Sequence, residues 1–434
     1  MISHRAGGPP ATVHTGDVPS TLPTGDPVPP DGSLPDQAYV AMAERTLSVY
    51  LHVPFCATRC GYCDFNTYTA GELGAAASAE SWLDAALAEI DLAAKVLAAN
   101  GDSRQVATVF VGGGTPSLVG ADPLARLLDA VRDRFGLRAD AEVTTEANPE
   151  STDPALLAGL RAAGFTRLSL GLQSTSIRVL RVLDRTHTPG RALQVVGWAR
   201  SAGFDHVNLD LIYGAPGESD AEFIDSLLAA VASGADHVSA YSLIVEPGTR
   251  LAVRVRRGEV PPVDDDELAD RYEAADDLFA AAGLHWYEVS NWARTPADAC
   301  RHNVGYWRGD DWWGAGPGAH SHVGGVRWWN VRHPRAYAER LAAGLSPAAG
   351  REVLADFARH EERVLLGVRL VEGLPLNDLD DAGRRAVAAL VADELIDGPA
   401  AVDRAAVDRA AVGRVVLTRR GRLLADAVVR ALLA

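Results

Sequence analysis

Cysteine is scarce, with four in 434 residues. That is far too few for a disulfide framework, which belongs to small secreted chains dense in cysteine. No stretch approaches the run of about 18 apolar residues that a membrane-crossing helix needs. The first residues lack the basic segment followed by an apolar one that marks a secretory signal. Basic side chains are also in deficit, 41 against 57 acidic, for a net charge of −16. A surface of that sign does not attract phosphate backbones, so nucleic-acid binding is disfavoured. These absences make the cytoplasm the expected location and leave peripheral contact with a membrane open. What is present is the material of an ordinary core: 47% hydrophobic residues against 23% charged. The length exceeds one ordinary domain and suits a barrel with an appendage.

Composition divides the chain. Eight of the 24 prolines fall in the first 35 residues, among Gly, Thr, Ser and Asp. Such a stretch buries too little apolar surface to offset its ordering entropy, so residues 1–45 are expected to form a disordered tail. Between 46 and 290, β-branched runs at 47–53, 107–111, 141–146, 167–172, 206–212 and 237–243 alternate with Ala/Leu-rich helical stretches. The helical stretches are 81–100, 122–135, 154–163, 191–202, 220–233 and 264–282. This alternation predicts an α/β fold, a parallel sheet wound by right-handed crossovers into a partial (β/α) barrel. Working residues in such a barrel sit at the C-terminal ends of the strands. Residues 291–350 form an aromatic and glycine-rich segment. Residues 351–434 read as helices followed by a strand hairpin, a C-terminal winged-helix-like α+β module expected to cover the barrel mouth rather than to bind DNA.

Three of the four cysteines stand together, Cys56, Cys60 and Cys63, spaced C-x3-C-x2-C. A [4Fe–4S] cubane normally takes four cysteines; three leave one iron open, and an open iron can chelate the amino and carboxylate groups of S-adenosylmethionine (SAM). Structural zinc would want a second ligand pair further on, and none is there. After the second strand comes Gly112-Gly113-Gly114-Thr115-Pro116, where the missing Cβ atoms let the backbone approach a ligand; on its own such a triplet is only a turn. Glu146 in Glu146-Ala-Asn-Pro149 could accept hydrogen bonds from a ribose or an amino group, or be a solvated loop acid. Gly171-Leu-Gln173-Ser174 ends the fourth strand, with Ser174 or Thr175 the expected cap of the helix that follows. Asp210 is a charge inside an apolar strand, and buried acids are rare unless paired. A ligand hydroxyl or Arg185 would serve.

Taken in order, these motifs resemble the radical SAM family of oxygen-independent coproporphyrinogen III oxidases and their relatives, from about residue 47 to the C-terminus. The resemblance implies a [4Fe–4S] cluster on Cys56, Cys60 and Cys63. It further implies SAM contacts at Tyr50, Tyr62, Gly113, Gly114, Thr115, Glu146, Gln173, Arg185 and Asp210. Gly114→Val is accordingly expected to weaken SAM binding and spare the cluster. One departure matters: the oxidases carry a further cysteine two residues after the third, where this chain has Phe65. The Cys-Asp-Phe form looks like the haem-chaperone branch, which implies haem as a bound molecule and a haem acceptor protein as partner. The alternative is the oxidase itself, decarboxylating coproporphyrinogen III.

Seven of the nine tryptophans lie between residues 286 and 329. Within that stretch stands His302-Asn303-Val-Gly-Tyr306-Trp307, matching the motif that the chaperone branch associates with haem. A flat tetrapyrrole gains from aromatic walls and from an axial His or Tyr. The resemblance therefore points to His302, Asn303, Tyr306 and Trp307, with His320 and His322 in reserve and the lone Cys300 as a thiol to test. The other reading of these tryptophans is ordinary core at the barrel end. Trp82 stands apart from the cluster, and its replacement is expected to leave haem binding unchanged.

Overall fold

The computed structural model describes residues 25–73, 78–398 and 413–434. Twelve strands form one sheet. They are β1 Leu47–Val53, β2 Val106–Gly113, β3 Leu137–Ala147, β4 Arg167–Gln173, β5 His206–Tyr213 and β6 His237–Ser242, then β7 His285–Glu288, β8 Asn291–Ala293, β9 Asp311–Ala315, β10 His320–Val323, β11 Val326–Asn330 and β12 Ala348–Val353. Across the sheet the order is β12-β11-β10-β9-β1-β2-β3-β4-β5-β6-β8-β7. Strands β1 to β6 pair in parallel, each with its successor, and β9 is parallel to β1. The outer strands at both edges are antiparallel. Among the described residues no pairing joins β12 to β7, so the barrel stays open, as expected.

Helices Ala79–Ala98, Ala121–Phe135, Pro154–Ala163, Arg191–Ser201, Asp220–Ala232 and Asp265–Ala281 alternate with the strands. Two of them start on reciprocal caps, Ser78 with Ser81 and Ser219 with Glu222, which satisfy amides that a helix leaves unpaired at its first turn. The helix Ala121–Phe135 buries Leu124, Leu127, Leu128 and Val131, the one-sided stripe that lets a helix pack on a sheet.

The strands carry two different faces. On β1, Val49, Leu51 and Val53 join the same core cluster as Leu124 and Leu128. The intervening Ser48, Tyr50 and His52 pair in register with Thr108, Phe110 and Gly112 of β2. Since side chains alternate along a strand, this second set fills the barrel interior, which is polar and aromatic rather than aliphatic. Helix side dry, inner side chemical: that division positions the site.

Three expectations change. Residues 25–45 are not tail. Asp26 bridges to Arg351, Ala38 is fully buried, and Arg45 pairs with the buried Asp311 at 2.8 Å; proline-rich composition hid a segment that lies along the sheet edge. Residues 1–24 lie outside the described residues. Residues 291–350 are no separate segment, since β9 to β12 extend the barrel sheet itself, and β12 carries that sheet to Val353. The C-terminal module begins after it, with helices Asp356–Gly367, Asp381–Ala392 and Ala425–Leu432 and the pairing of Leu374–Pro375 with Arg414–Val415. It has its own core around Val364, Val368, Leu374, Leu390 and Val428. The hairpin between Ile396 and Leu417 passes through residues outside the described set.

One buried acid ties the helix layer to the glycine-rich loop. Glu89 is fully buried and accepts hydrogen bonds from the Gly316 amide at 2.8 Å, the Asn330 amide group at 2.8 Å and the Tyr337 hydroxyl. Burial raises its carboxyl from 4.5 to about 7. The folded state therefore holds the proton more tightly than the unfolded chain, so this group's contribution falls as pH rises from 4.5 and levels off above about 7. The stability difference between wild type and Glu89→Gln should fall by about 3 kcal/mol over that interval, in urea titrations at successive pH values. A difference independent of pH would contradict the assignment.

Candidate functional site

The cysteine loop leaves β1 at Val53 and is fastened along its length. The Gly114 amide donates to the Val53 carbonyl at 2.7 Å and the Thr115 amide to the Phe55 carbonyl at 2.8 Å. Phe55 and Cys56 pair with Tyr68 and Thr69. Gly61 donates to Leu183 and accepts from Leu251, at 2.9 and 2.8 Å. Asn66 reaches across to the Pro317 and Arg332 carbonyls at 2.9 and 2.8 Å. A loop so held presents its thiols in a fixed place.

Cys56, Cys60 and Cys63 are all free and partly exposed. Cys63 is pushed up to about 11 by burial, with Cys60 and Cys56 both adding to the rise, so the three thiols lie within electrostatic reach of one another. Thr115 Oγ1 stands 3.8 Å from Cys56 Sγ, and Arg185 Nη1 stands 3.5 Å from Cys60 Sγ. Thiolate ligands release their protons on binding metal, and these two neighbours suit the resulting negative sulfur. Tyr62 lies beside Cys60 and Arg185.

Two half-buried carboxylates line the same cavity. Glu146, at the end of β3, accepts from the Gly113 amide at 3.0 Å. Burial and the nearby Asp210 push it up to about 8. Asp210 on β5 is also raised by burial, although Ser169 at 2.9 Å and Asn208 at 2.8 Å donate to it. Two acids that resist ionisation in one enclosure call for a cation. Arg185 lies within range, and its Nε is buried without a hydrogen-bond partner. The amino and sulfonium charges of SAM would meet the same need, so the donor set fits that ligand. Tyr50 bonds His52 Nδ1 through its hydroxyl at 3.0 Å. Gln173 is buried in a left-handed conformation at φ 62°, and its amide nitrogen lies, with Arg185 Nη2, against the place of a Cβ on Gly171, both at 2.6 Å. Of the predicted SAM residues, Tyr50, Glu146 and Asp210 line a cavity inside the barrel, while Gly113 and Gln173 stand at the C-terminal ends of their strands. Ser176, not Ser174 or Thr175, caps the helix Ile177–Val182.

Gly114 has another role than expected. A Cβ there would lie 2.5 Å from the Phe55 carbonyl oxygen, so this glycine admits the cysteine loop rather than the ligand. A Cβ at Gly113, where φ is +110°, would meet the His52 ring at 2.6 Å.

Of the haem-motif residues, His302 and Asn303 face the barrel interior, while Tyr306 also borders a larger pocket. His302 is 2% exposed, with Nδ1 bonded to Thr108 Oγ1 at 2.7 Å and Nε2 to the Tyr306 hydroxyl at 2.8 Å. Its ring stacks on Phe110 at 5.2 Å, and burial lowers its basicity to about 4. Asn303 donates to Glu288 at 2.9 Å. Together with Tyr306 these side chains line a cavity of about 150 Å³ inside the barrel. Both ring nitrogens of His302 are thus engaged by neighbouring hydroxyls. Cys300 is buried with its thiol 3.6 Å from Glu142 and pushed up to about 12, so it is no free thiolate. Trp292, Trp313, Trp328 and Trp329 are core, each at most 4% exposed. Trp82 packs against the start of the cysteine loop: its indole donates to the His52 carbonyl at 3.0 Å and its ring meets Phe55 edge-on at 5.6 Å.

A second, larger cavity of about 600 Å³ opens between the cysteine loop, strands β9 to β11 and the helix Asp356–Gly367. Tyr50, Phe65, Tyr306, Trp312, Leu365 and Leu366 supply much of its wall. Its volume lies within the roughly 300–1,000 Å³ usual for small-molecule and cofactor pockets. Residues overlooked in the sequence include His52 and Glu142. A period of two along the strands, counted from Tyr50 and from Glu146, would have found both.

Three thiols on a fastened loop after the first strand of a parallel partial barrel, with half-buried acids on its inner face, define the radical SAM class. The radical SAM superfamily profile matches residues 50–230. The haem chaperone HemW of Mycobacterium tuberculosis is 58% identical over 392 residues, covering 90% of this chain and 96% of that protein. HemW of Escherichia coli is 39% identical over 298 residues, covering 67% of this chain and 75% of that one. Among solved structures, the radical SAM enzyme coproporphyrinogen III oxidase (HemN) from Escherichia coli superposes with a TM-score of 0.75 at 24% identity, covering 92% of both chains, a likeness of fold. The chain belongs to the HemW family of radical SAM proteins.

Two outcomes test the site. Serine at Cys56, Cys60 or Cys63 should each abolish the brown cluster absorbance after anaerobic reconstitution, while Cys300→Ser should keep it; equal loss from Cys300→Ser would disprove the three-thiol set. Gly114→Val should lose cluster and SAM binding together, because the side chain displaces the loop at Phe55. Loss of SAM affinity with a full cluster would restore the ligand-contact reading.

Proposed function

We propose that the chain is a haem chaperone: it takes up haem in the 600 Å³ pocket beside the cysteine loop and passes it to an acceptor protein. Cys56, Cys60 and Cys63 would hold a [4Fe–4S] cluster, and Glu146, Asp210, Arg185 and the rim of β1 to β5 would hold SAM. When bound, that pair supplies one-electron chemistry. The chain's own contribution is to seat the thiols, to hold two acids for a cationic ligand, and to keep water out of the barrel behind Tyr50 and Phe110.

The observation that carries this reading is the separation of the two cavities. The interior one, at about 150 Å³, falls below the usual volume range of small-molecule and cofactor pockets; it is too small for a tetrapyrrole. The large one lies outside it, walled by aromatic and aliphatic side chains that suit a flat macrocycle. Phe65 stands in that wall, at the place where the resembling oxidases carry a further cysteine. Haem would therefore rest against the cluster loop without entering the barrel. The name of the relatives, haem chaperone, agrees with this.

The test is a haem titration of the reconstituted protein, beside anaerobic incubation with coproporphyrinogen III, SAM and a reductant. Saturable haem binding with no protoporphyrinogen formed is the expected result. Formation of protoporphyrinogen would overturn the chaperone reading in favour of the oxidase.

A further inference from the structure

The large pocket contains several groups able to ligate iron, and the geometry removes nearly all of them. His52 bonds the Tyr50 hydroxyl through Nδ1 and the Asn66 carbonyl through Nε2, each at 3.0 Å. His322 bonds the Asp310 carbonyl through Nδ1 at 3.1 Å and accepts from the Gly325 amide through Nε2 at 3.0 Å. The hydroxyls of Tyr50 and Tyr306 are taken by His52 and His302. Glu362 is paired with Arg327. One donor is left. His320 lines the pocket and is exposed, and among the described residues no hydrogen bond engages either of its ring nitrogens.

Its backbone, by contrast, is fixed. His320 opens β10, in register opposite Trp329. Its carbonyl accepts from the Trp312 indole at 3.0 Å. A Cβ on Gly314 would lie 2.2 Å from that same oxygen, so β9 passes against it with no room to spare. The ring is thus carried on a rigid strand, tilted against the Trp329 ring at 6.1 Å between centroids, and Trp312 shares the pocket wall. A held backbone with an uncommitted imidazole is what an axial ligand needs, since no existing bond must break for iron to bind.

We infer that His320, rather than His302 of the His-Asn-x-x-Tyr-Trp motif, is the protein's axial ligand to haem, in the pocket between the cysteine loop and the C-terminal module. This rests on the haem-chaperone reading and adds to it the residue that holds the iron. The motif keeps a different role: His302 props Tyr306, and Tyr306 stands between the two cavities and lines both.

The experiment titrates ferric haem into the full, cluster-reconstituted chain and into its His320→Ala and His302→Ala variants, following the Soret band and the iron spin state. His320→Ala should shift the band and weaken binding by about tenfold or more, and added imidazole should restore the wild-type spectrum. His302→Ala, with cluster content showing that it is folded, should keep the wild-type band position. A His320→Ala variant with wild-type spectrum and affinity overturns the assignment, as does a folded His302→Ala that alone loses the band. A wild-type chain that binds no haem would fail at the earlier step and remove the chaperone reading itself, which keeps the two failures apart.

Discussion

Everything at the site depends on one close approach between backbones. The glycine turn after β2 lies against the start of the cysteine loop, with the Gly114 and Thr115 amides bonded to the Val53 and Phe55 carbonyls. Any side chain at Gly114 would enter the Phe55 backbone. The loop that carries the three thiols is therefore seated by main-chain bonds, which do not depend on flexible side chains. Trp82 supports it from beneath and Asn66 ties its far end to the glycine-rich loop. That second loop is itself held by Glu89 through Gly316. The position of the cysteines, the opening of the large pocket and the start of β10 thus belong to one connected set of contacts.

The interior of the barrel follows a different logic. Ser48, Thr108, Glu142, Arg167, Asn208 and His237 are buried there, and they are bonded to one another or to neighbours across the strands. Buried polar groups are mostly partnered, and such a network fixes one arrangement; here Arg167 Nη1 is left without a hydrogen bond. His302 belongs to this network. Its bonds to Thr108 and Tyr306 tie it in, while His320 stands outside the network. The interior cavity and the larger pocket beside it share Tyr50 and Tyr306.

How much of this was legible in the sequence depends on the range of the interaction. The parallel strands were, because β-branched runs such as 47–53 and 206–212 are local signals. The three cysteines and the strand-end motifs were, since each lies within a few residues of chain. Strands β9 to β12 were not: in 311–330 the tryptophans and glycines of β9 to β11 read as an aromatic cluster rather than as sheet. Residues 25–45 were misread because proline-rich composition says nothing of an ion pair such as Arg45 with Asp311, formed across the fold. The surroundings of His302 were hidden for the same reason. Its Nδ1 partner Thr108 and its backbone partner Glu142 come from strands far away in the chain; only the Nε2 partner, Tyr306, lies within the motif itself.

The central claim is that haem lies outside the barrel, against the cysteine loop. An iron-edge anomalous difference map from crystals of the cluster-containing protein loaded with haem tests it most directly. The account predicts two iron sites: one at Cys56, Cys60 and Cys63, and a second in the pocket walled by Phe65, Trp312 and Leu365, with His320 as its protein ligand. A second iron peak beside His302 in the barrel interior would contradict it.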